Sequence, residues 1–332
     1  MTQMPPLQFA EVNGIRMAYY EAGPRTDAPP LVLCHGWPEI AYSWRHQIKA
    51  FREAGLRVIA PDQRGYGATD RPEAVEAYDI EHLTSDLVGL LDHLRIEKAI
   101  FVGHDWGGFV VWQMPLRHFA RTAGVIGINT PHHPRAPIDP IAIFRKRFGE
   151  AMYIVQFQNP GQKPDRIFAD NIENTFDFFM RRPLPSQPPA TSSAPAEAGI
   201  GAPPGANLAF PQLVEAYDPK RDPRERLLTP EEMKVYVDTF KRTGFTGGIN
   251  WYRNITRNWR RAADLDHIVR VPSLMITAEK DVVLPPSATE GMEKIVPDLE
   301  RHLVRGSGHW TMQEYPDEVS ATILDWRRRR FG

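Results

Sequence analysis

The stretch AIFVGHDWGGFVVW, residues 99–112, constrains this chain more than any other part of it. Ala99 to Val102 form an apolar run of the kind that fills a buried strand, and the apolar residues after Gly108 can continue as a helix. Between them stands G-x-D-x-G, with Gly103, Asp105 and Gly107 at a strand-to-helix corner. So sharp a turn needs small neighbours, because the backbone must bend and the helix must pack close to the strand. It lifts one side chain, here the Asp105 carboxylate, above a sheet and turns backbone N–H groups toward whatever that carboxylate attacks. By itself so short a pattern is more often a surface aspartate in a glycine-rich loop. The rest of the chain decides between the two readings.

Upstream, QFAEVNGIRMAYY at 8–20 reads as a β-hairpin turning at Asn13-Gly14. LVLC at 31–34 is a short apolar strand that runs into His35-Gly36-Trp37-Pro38. Trp44, Ile48 and Phe51 keep helical spacing up to a stop at Gly55, and RVIA at 57–60 is the next strand. Asp79 can cap a helix whose apolar face is Leu83, Leu87, Leu90, Leu91 and Leu94. After the 99–112 stretch, VIGI at 125–128 reads as another strand. Strands alternating with helices imply βαβ units with right-handed crossovers, and so an α/β fold with a mostly parallel, doubly wound sheet.

The alternation stops near residue 131 and resumes with PSLMITAEKD at 272–281 and RHLVRGSGHW at 301–310. A closing helix starts at Pro316, with Val319, Ile323 and Trp326 facing the core. The expected organisation is a core of residues 1–133 and 263–332 with a mainly helical cap, 134–262, inserted into it. Inside the cap, 183–211 is rich in Pro, Ala, Gly and Ser and reads as a long mobile loop, since it holds too little apolar surface to order itself.

Composition excludes several classes of function. A net charge of −1 over 332 residues shows no excess that would seek nucleic acid. One cysteine, Cys34, precludes an intrachain disulfide. No apolar run approaches the ~20 residues of a membrane span, and the N-terminus lacks the pattern of a secretory signal, so a cytoplasmic protein is expected. Phosphate-binding G-x-x-x-x-G-K, H-E-x-x-H and Cys/His metal spacings are missing from the sequence. The Arg327–Arg330 run reads as a solvated helix end favoured by the helix dipole.

A carboxylate nucleophile needs a partner that activates water in a second step, and histidine is the usual choice near neutral pH. Of 11 histidines, His309 stands out, in a small-residue loop (Gly306, Ser307, Gly308) after the last strand. Strand carboxyl ends are where the site of an open α/β sheet gathers. Asp281 also ends its strand; it can orient His309 or cap the segment that follows, and spacing alone does not choose.

Taken together, HGWP at 35–38, RGYG at 64–67, GHDWGG at 103–108, TAEKD at 277–281 and GHW at 308–310 resemble the α/β-hydrolase-fold epoxide hydrolases of the soluble type. YIVQFQNPG at 153–161 and INWYRNITRNW at 249–259 sharpen the likeness, which spans residues 8 to 326. In that family each of these two segments carries a tyrosine over the nucleophile, here Tyr153 and Tyr252. The Pro-rich loop departs from the family pattern by its length.

The resemblance implies that Asp105 opens a hydrophobic epoxide to a hydroxyalkyl ester. Tyr153 and Tyr252, phenols with an ordinary pKa of ~10, then donate to the departing oxygen. Water activated by His309, with Asp281 stabilising the imidazolium, hydrolyses the ester to a vicinal diol. The Trp37 and Trp106 N–H groups would hold the oxyanion, and Trp37, Trp106 and Pro38 would line the pocket, with Pro38 in a rigid turn that aims the Trp37 N–H. His35 and His104 read as supports of their turns. No metal or organic cofactor is implied, the partners are the epoxide and water, and nothing chooses between a monomer and a homodimer. A haloalkane or haloacid dehalogenase would share Asp105 and His309 but needs halide donors rather than a tyrosine pair. A hydrolase-fold binding protein would need no water-activating pair.

Overall fold

The computed structural model describes residues 4–159, 163–190, 201–202 and 206–332. Alternating burial builds the sheet first. In β5 (Ala99–His104), Ala99 and Phe101 pack on one face while Ile100 and Val102 pack on the other, so the strand is covered on both sides. The same holds for β3 (Leu31–Cys34), β4 (Val58–Pro61), β6 (Thr122–Ile128) and β7 (Ser273–Ala278). With β1 (Leu7–Val12), β2 (Ile15–Ala22) and β8 (Leu299–Val304) they form an eight-stranded sheet in the order β1-β2-β4-β3-β5-β6-β7-β8. β1 and β2 form the expected hairpin, with Asn13 and Gly14 at positive φ in its turn, and β2 runs antiparallel to β4. The strands from β4 to β8 are parallel. This is the α/β-hydrolase sheet.

Helices cover both faces. On one, α1 (Arg45–Glu53) and α13 (Pro316–Phe331) bring Phe51, Val319, Ile323 and Trp326 onto Leu31, Leu33, Val102 and Ile126. On the other, α2 (Ile80–His93) and α3 (Trp106–Arg117) cover Val32, Phe101 and Val125. Full burial of each large apolar side chain contributes roughly 1.5–3 kcal/mol. Asp79 caps α2 as its position suggests, its carboxylate accepting the His82 N–H at 3.1 Å.

Between β6 and β7 come α4 (Pro140–Phe148), α5 (Tyr153–Phe157), α6 (Lys163–Asp170), α7 (Ile172–Phe179), α8 (Phe210–Glu215), α9 (Pro230–Thr243), α10 (Thr246–Arg253) and α11 (Ile255–Arg261). A short helix, α12 (Thr311–Glu314), precedes α13. Among the described residues, no helix is long and apolar enough to cross a membrane.

The described part of 183–211 makes backbone contacts with the segment around Asp281. The Ala190 N–H donates to the Glu279 carbonyl at 2.8 Å and the Gly201 N–H to the Val283 carbonyl at 3.1 Å. The Lys280 ammonium reaches the Leu184 and Pro185 carbonyls. The described backbone of the stretch takes these partners from the segment around Asp281, while Ala202 and Leu208 are buried in the main core. Its end is helical, since α8 begins at Phe210 with Pro211 in the first turn. Residues 191–200 and 203–205 lie outside the described residues. The C-terminal arginines are paired, Arg328 and Arg329 with Asp325 on the same helix and Arg330 with Asp298 ahead of β8.

Candidate active site

Five parallel strands deliver their carboxyl ends to one edge. Trp37 follows β3, Asp105 follows β5, Asn129 follows β6, Asp281 follows β7 and His309 follows β8. At the corner between β5 and α3, Asp105 has φ 51° and ψ −121°, a conformation that L-residues rarely hold and that marks a strained, over-determined position. The corner closes because Gly103 and Gly107 carry no side chain. A Cβ on Gly103 would stand inside the Gly107 carbonyl, and one on Gly107 inside the Cys34 carbonyl. The Thr130 hydroxyl pins the corner from below, donating to the Asp105 carbonyl at 2.7 Å.

The Asp105 carboxylate is mostly buried and faces two sets of partners. The Trp37 N–H donates to Oδ1 at 2.8 Å, and the Trp106 N–H, at the start of α3, lies close enough to favour the charged carboxylate. Oδ2 lies 3.7 Å from His309 Nε2. Burial pushes the Asp105 carboxyl above the ordinary carboxylate range, while His309, His104 and the two N–H groups hold it back. Pro38 follows a cis Trp37–Pro38 peptide, buried in a turn closed by the Glu39 N–H on the Gly36 carbonyl. It thus backs Trp37 and is not among the residues lining the cavities described below, contrary to the expected pocket role.

His309 Nδ1 meets Asp281 Oδ2 at 2.7 Å. The other Asp281 oxygen accepts the Val283 and Leu284 N–H groups at 2.9 and 3.0 Å. Asp281 therefore caps the following segment and faces His309 at once; the two readings left open by spacing are both present. Burial alone would raise its pKa, but His309, the Leu284 N–H and the Asn129 amide bring it down to about 2. Burial likewise pulls His309 down, and the charges of Asp281, Asp105 and Glu39 outweigh it and lift the imidazole to about 9.

Three polar residues that sequence reasoning passed over support this set. Asn129, at φ 62°, donates from Nδ2 to Asp281 Oδ2 at 2.7 Å and accepts the Thr311 hydroxyl at 2.8 Å. Glu314 accepts the Gly308 and Trp310 N–H groups at 2.8 and 2.9 Å, cradling the peptides on either side of His309. Glu39, fully buried, lies 2.8 Å from His104 Nδ1, and His104 Nε2 donates to the His309 carbonyl at 2.7 Å. His104 thus supports the His309 loop as well as its own turn. His35 accepts the Gln63 N–H on Nε2, which leaves Nδ1 to donate to the Gly36 carbonyl. An asparagine just past a strand, a residue type that tolerates positive φ, is the one sequence sign that could have singled out position 129.

Tyr153 begins α5 and Tyr252 lies near the end of α10. Their rings approach at 5.8 Å between centroids, and the Tyr252 ring stands edge-on to Trp106 at 4.9 Å and to Trp37 at 5.9 Å. Burial, with the Asp105 charge adding to it, holds both phenols well above their ordinary pKa, so both keep their protons at neutral pH. Two cavities, of about 210 and 450 Å³, share Asp105, Tyr153, Tyr252 and Val283 among their walls. The smaller runs along α3 past Phe109 and Gln113 to Arg117, with Trp106 near its inner end. The larger passes Trp37, His309, Phe179 and Phe210. The tyrosine pair and the carboxylate thus stand where two mainly apolar arms meet.

A family model described as alpha/beta hydrolase fold matches residues 29–316. Epoxide hydrolase A of Mycobacterium tuberculosis is 44% identical over 328 residues, 97% of each chain. Bifunctional epoxide hydrolase 2 of Mus musculus is 38% identical over 94% of this chain, which spans 53% of that protein. The crystal structure of epoxide hydrolase A from Mycobacterium thermoresistibile, 41% identical, matches over 98% of both chains with a TM-score of 0.82. The chain belongs to the α/β-hydrolase-fold epoxide hydrolases.

Proposed function

We propose that this protein hydrolyses hydrophobic epoxides to vicinal diols through a covalent ester on Asp105, with residues 134–262 acting as a cap over a core of 1–133 and 263–332. The observation that carries the reading is one junction: a strained, mostly buried carboxylate with the Trp37 N–H on one oxygen, an imidazole beside the other, and two neutral phenols across the same cavity.

Each group then has a task set by its chemistry. An Asp105 oxygen attacks an epoxide carbon and the C–O bond breaks toward the ring oxygen. Tyr153 and Tyr252 donate hydrogen bonds to that oxygen, and one gives up its proton to form the alcohol. Ester formation removes the Asp105 charge, one of those that raise His309, so the imidazolium becomes a better acid and can return a proton to the phenolate. Neutral His309 is then ready to deprotonate water, with Asp281 holding its tautomer and stabilising the imidazolium that re-forms. The tetrahedral oxyanion develops on the oxygen that accepts the Trp37 N–H, with the Trp106 N–H nearby to join it as charge builds. Collapse releases the diol and the carboxylate.

A first-turnover isotope experiment tests the ester. In ¹⁸O-water with styrene oxide as substrate, the diol formed with excess enzyme should carry ¹⁶O drawn from Asp105, whereas with excess substrate the diol from later turnovers should carry ¹⁸O. Label in the first diol at the solvent ratio would mean direct attack by water and would contradict the ester.

A further inference from the structure

Beside the tyrosine pair lies a buried ion pair to which the proposed chemistry gives no part. Arg253 follows Tyr252 in the last turn of α10, and its side chain is only 9% exposed. Its Nε donates to the Phe157 carbonyl at 3.0 Å, at the end of the helix that Tyr153 begins. Its Nη1 donates to Asp165 Oδ1 at 3.1 Å and to Asn250 Oδ1 at 2.8 Å, and Nη2 to Asp165 Oδ2 at 2.7 Å. Asp165, in α6, is 5% exposed. One guanidinium therefore joins α10, α5 and α6. Gln158 ties the first two again, its amide donating to the Tyr252 and Ile154 carbonyls, each at 3.0 Å.

A buried ion pair is weak ground for stability, because desolvation offsets much of its Coulomb gain. What an arginine fork offers is direction: planar, bidentate contacts fix both partners in angle as well as distance. The place where direction matters is next door. α5 has five residues, too short to hold its own orientation. Both tyrosine hydroxyls must reach a single oxygen at hydrogen-bond distance, and a misplacement of about 1 Å can cost roughly 100-fold in rate.

We propose that Arg253, through Asp165 and the Phe157 carbonyl and together with Gln158, is a positioning residue that sets the separation of the Tyr153 and Tyr252 hydroxyls over the epoxide oxygen. This rests on the reading of the two tyrosines as donors, and it concerns ester formation alone, since ester hydrolysis uses the opposite wall of the cavity.

Single-turnover kinetics of the full chain with styrene oxide test it, resolving ester formation from ester hydrolysis. Arg253→Met should slow ester formation at least tenfold and hydrolysis less than twofold. In a Tyr252→Phe background the same change should cost less than threefold, because the hydroxyl that it positions is already gone. Gln158→Met leaves the ion pair intact and should slow ester formation by a smaller factor with hydrolysis unchanged; it carries the test should Arg253→Met fail to fold. Equal slowing of both steps, no slowing of either, or a full tenfold loss persisting in the Tyr252→Phe background would overturn the proposal. Unchanged ester formation in Tyr252→Phe itself would show that the tyrosine reading is at fault, and the proposal would fall with it.

Discussion

The two walls of the cavity are held by different means. On the sheet side, Asp105, Asp281 and His309 lie just beyond β5, β7 and β8, and backbone groups fix them: the Trp37 N–H on Asp105, the Val283 and Leu284 N–H groups on Asp281, the His309 carbonyl on His104. On the helix side, Tyr153 and Tyr252 depend on edge-to-face packing among Trp37, Trp106 and Phe157 and on side chains that cross between short helices. A parallel sheet specifies its wall through register, whereas the tyrosine wall depends on long-range side-chain contacts. The first is set by the sheet, and on the proposed function the second is where one core can be fitted to different epoxides.

If the walls serve different steps, substitutions should separate them. Asp281→Asn would leave His309 without its orienting charge, and by analogy with other triads the hydrolytic step should fall by roughly 10³–10⁴-fold with ester formation little changed. Tyr252→Phe should do the reverse, slowing ester formation by about 10²–10³-fold, the usual cost of one lost transition-state donor, while the hydrolytic step keeps its rate. Quench-flow measurement of both steps checks the pair. Loss of the same step in both variants would break the comparison.

The sheet wall was largely legible from sequence because its chemistry sits at predictable places. Gly103-x-Asp105-x-Gly107 marks a corner, and Asp281 and His309 follow apolar strands. Tyr153 and Tyr252 are separated by 99 positions with no periodic signal between them, and only their family context picks them out from 10 tyrosines. Asn129, Glu39 and Glu314 escaped for a related reason. Each acquires its role from a contact made after folding, such as Glu39 to His104 across 65 residues. The backbone partners that the described ends of the proline-rich stretch find on another segment were not legible, because low apolar content says nothing of them.

A smaller effect sharpens the electrostatic side of the account. His309 should titrate near 9 in the free protein, since Asp281, Asp105 and Glu39 raise it against the pull of burial. Removing the Asp105 charge removes one raising cause, so histidine NMR on Asp105→Asn should give a lower pKa. The sign carries into kinetics. On the proposed mechanism ester hydrolysis needs neutral His309, so its rate should climb with pH and level off above this lowered pKa, at a pH below 9. An unchanged pKa in the variant would mean that Asp105 and His309 do not share a field.

The central claim is that Asp105 is alkylated by the epoxide and that His309 is needed only afterwards. Intact-mass analysis of His309→Gln, incubated separately with styrene oxide and with a 1-haloalkane, addresses it directly. The account predicts a mass gain equal to the whole epoxide, stable on standing and abolished when Asp105 is also changed to Ala. A gain from the haloalkane alone, or none from either reagent on a folded protein, would contradict it.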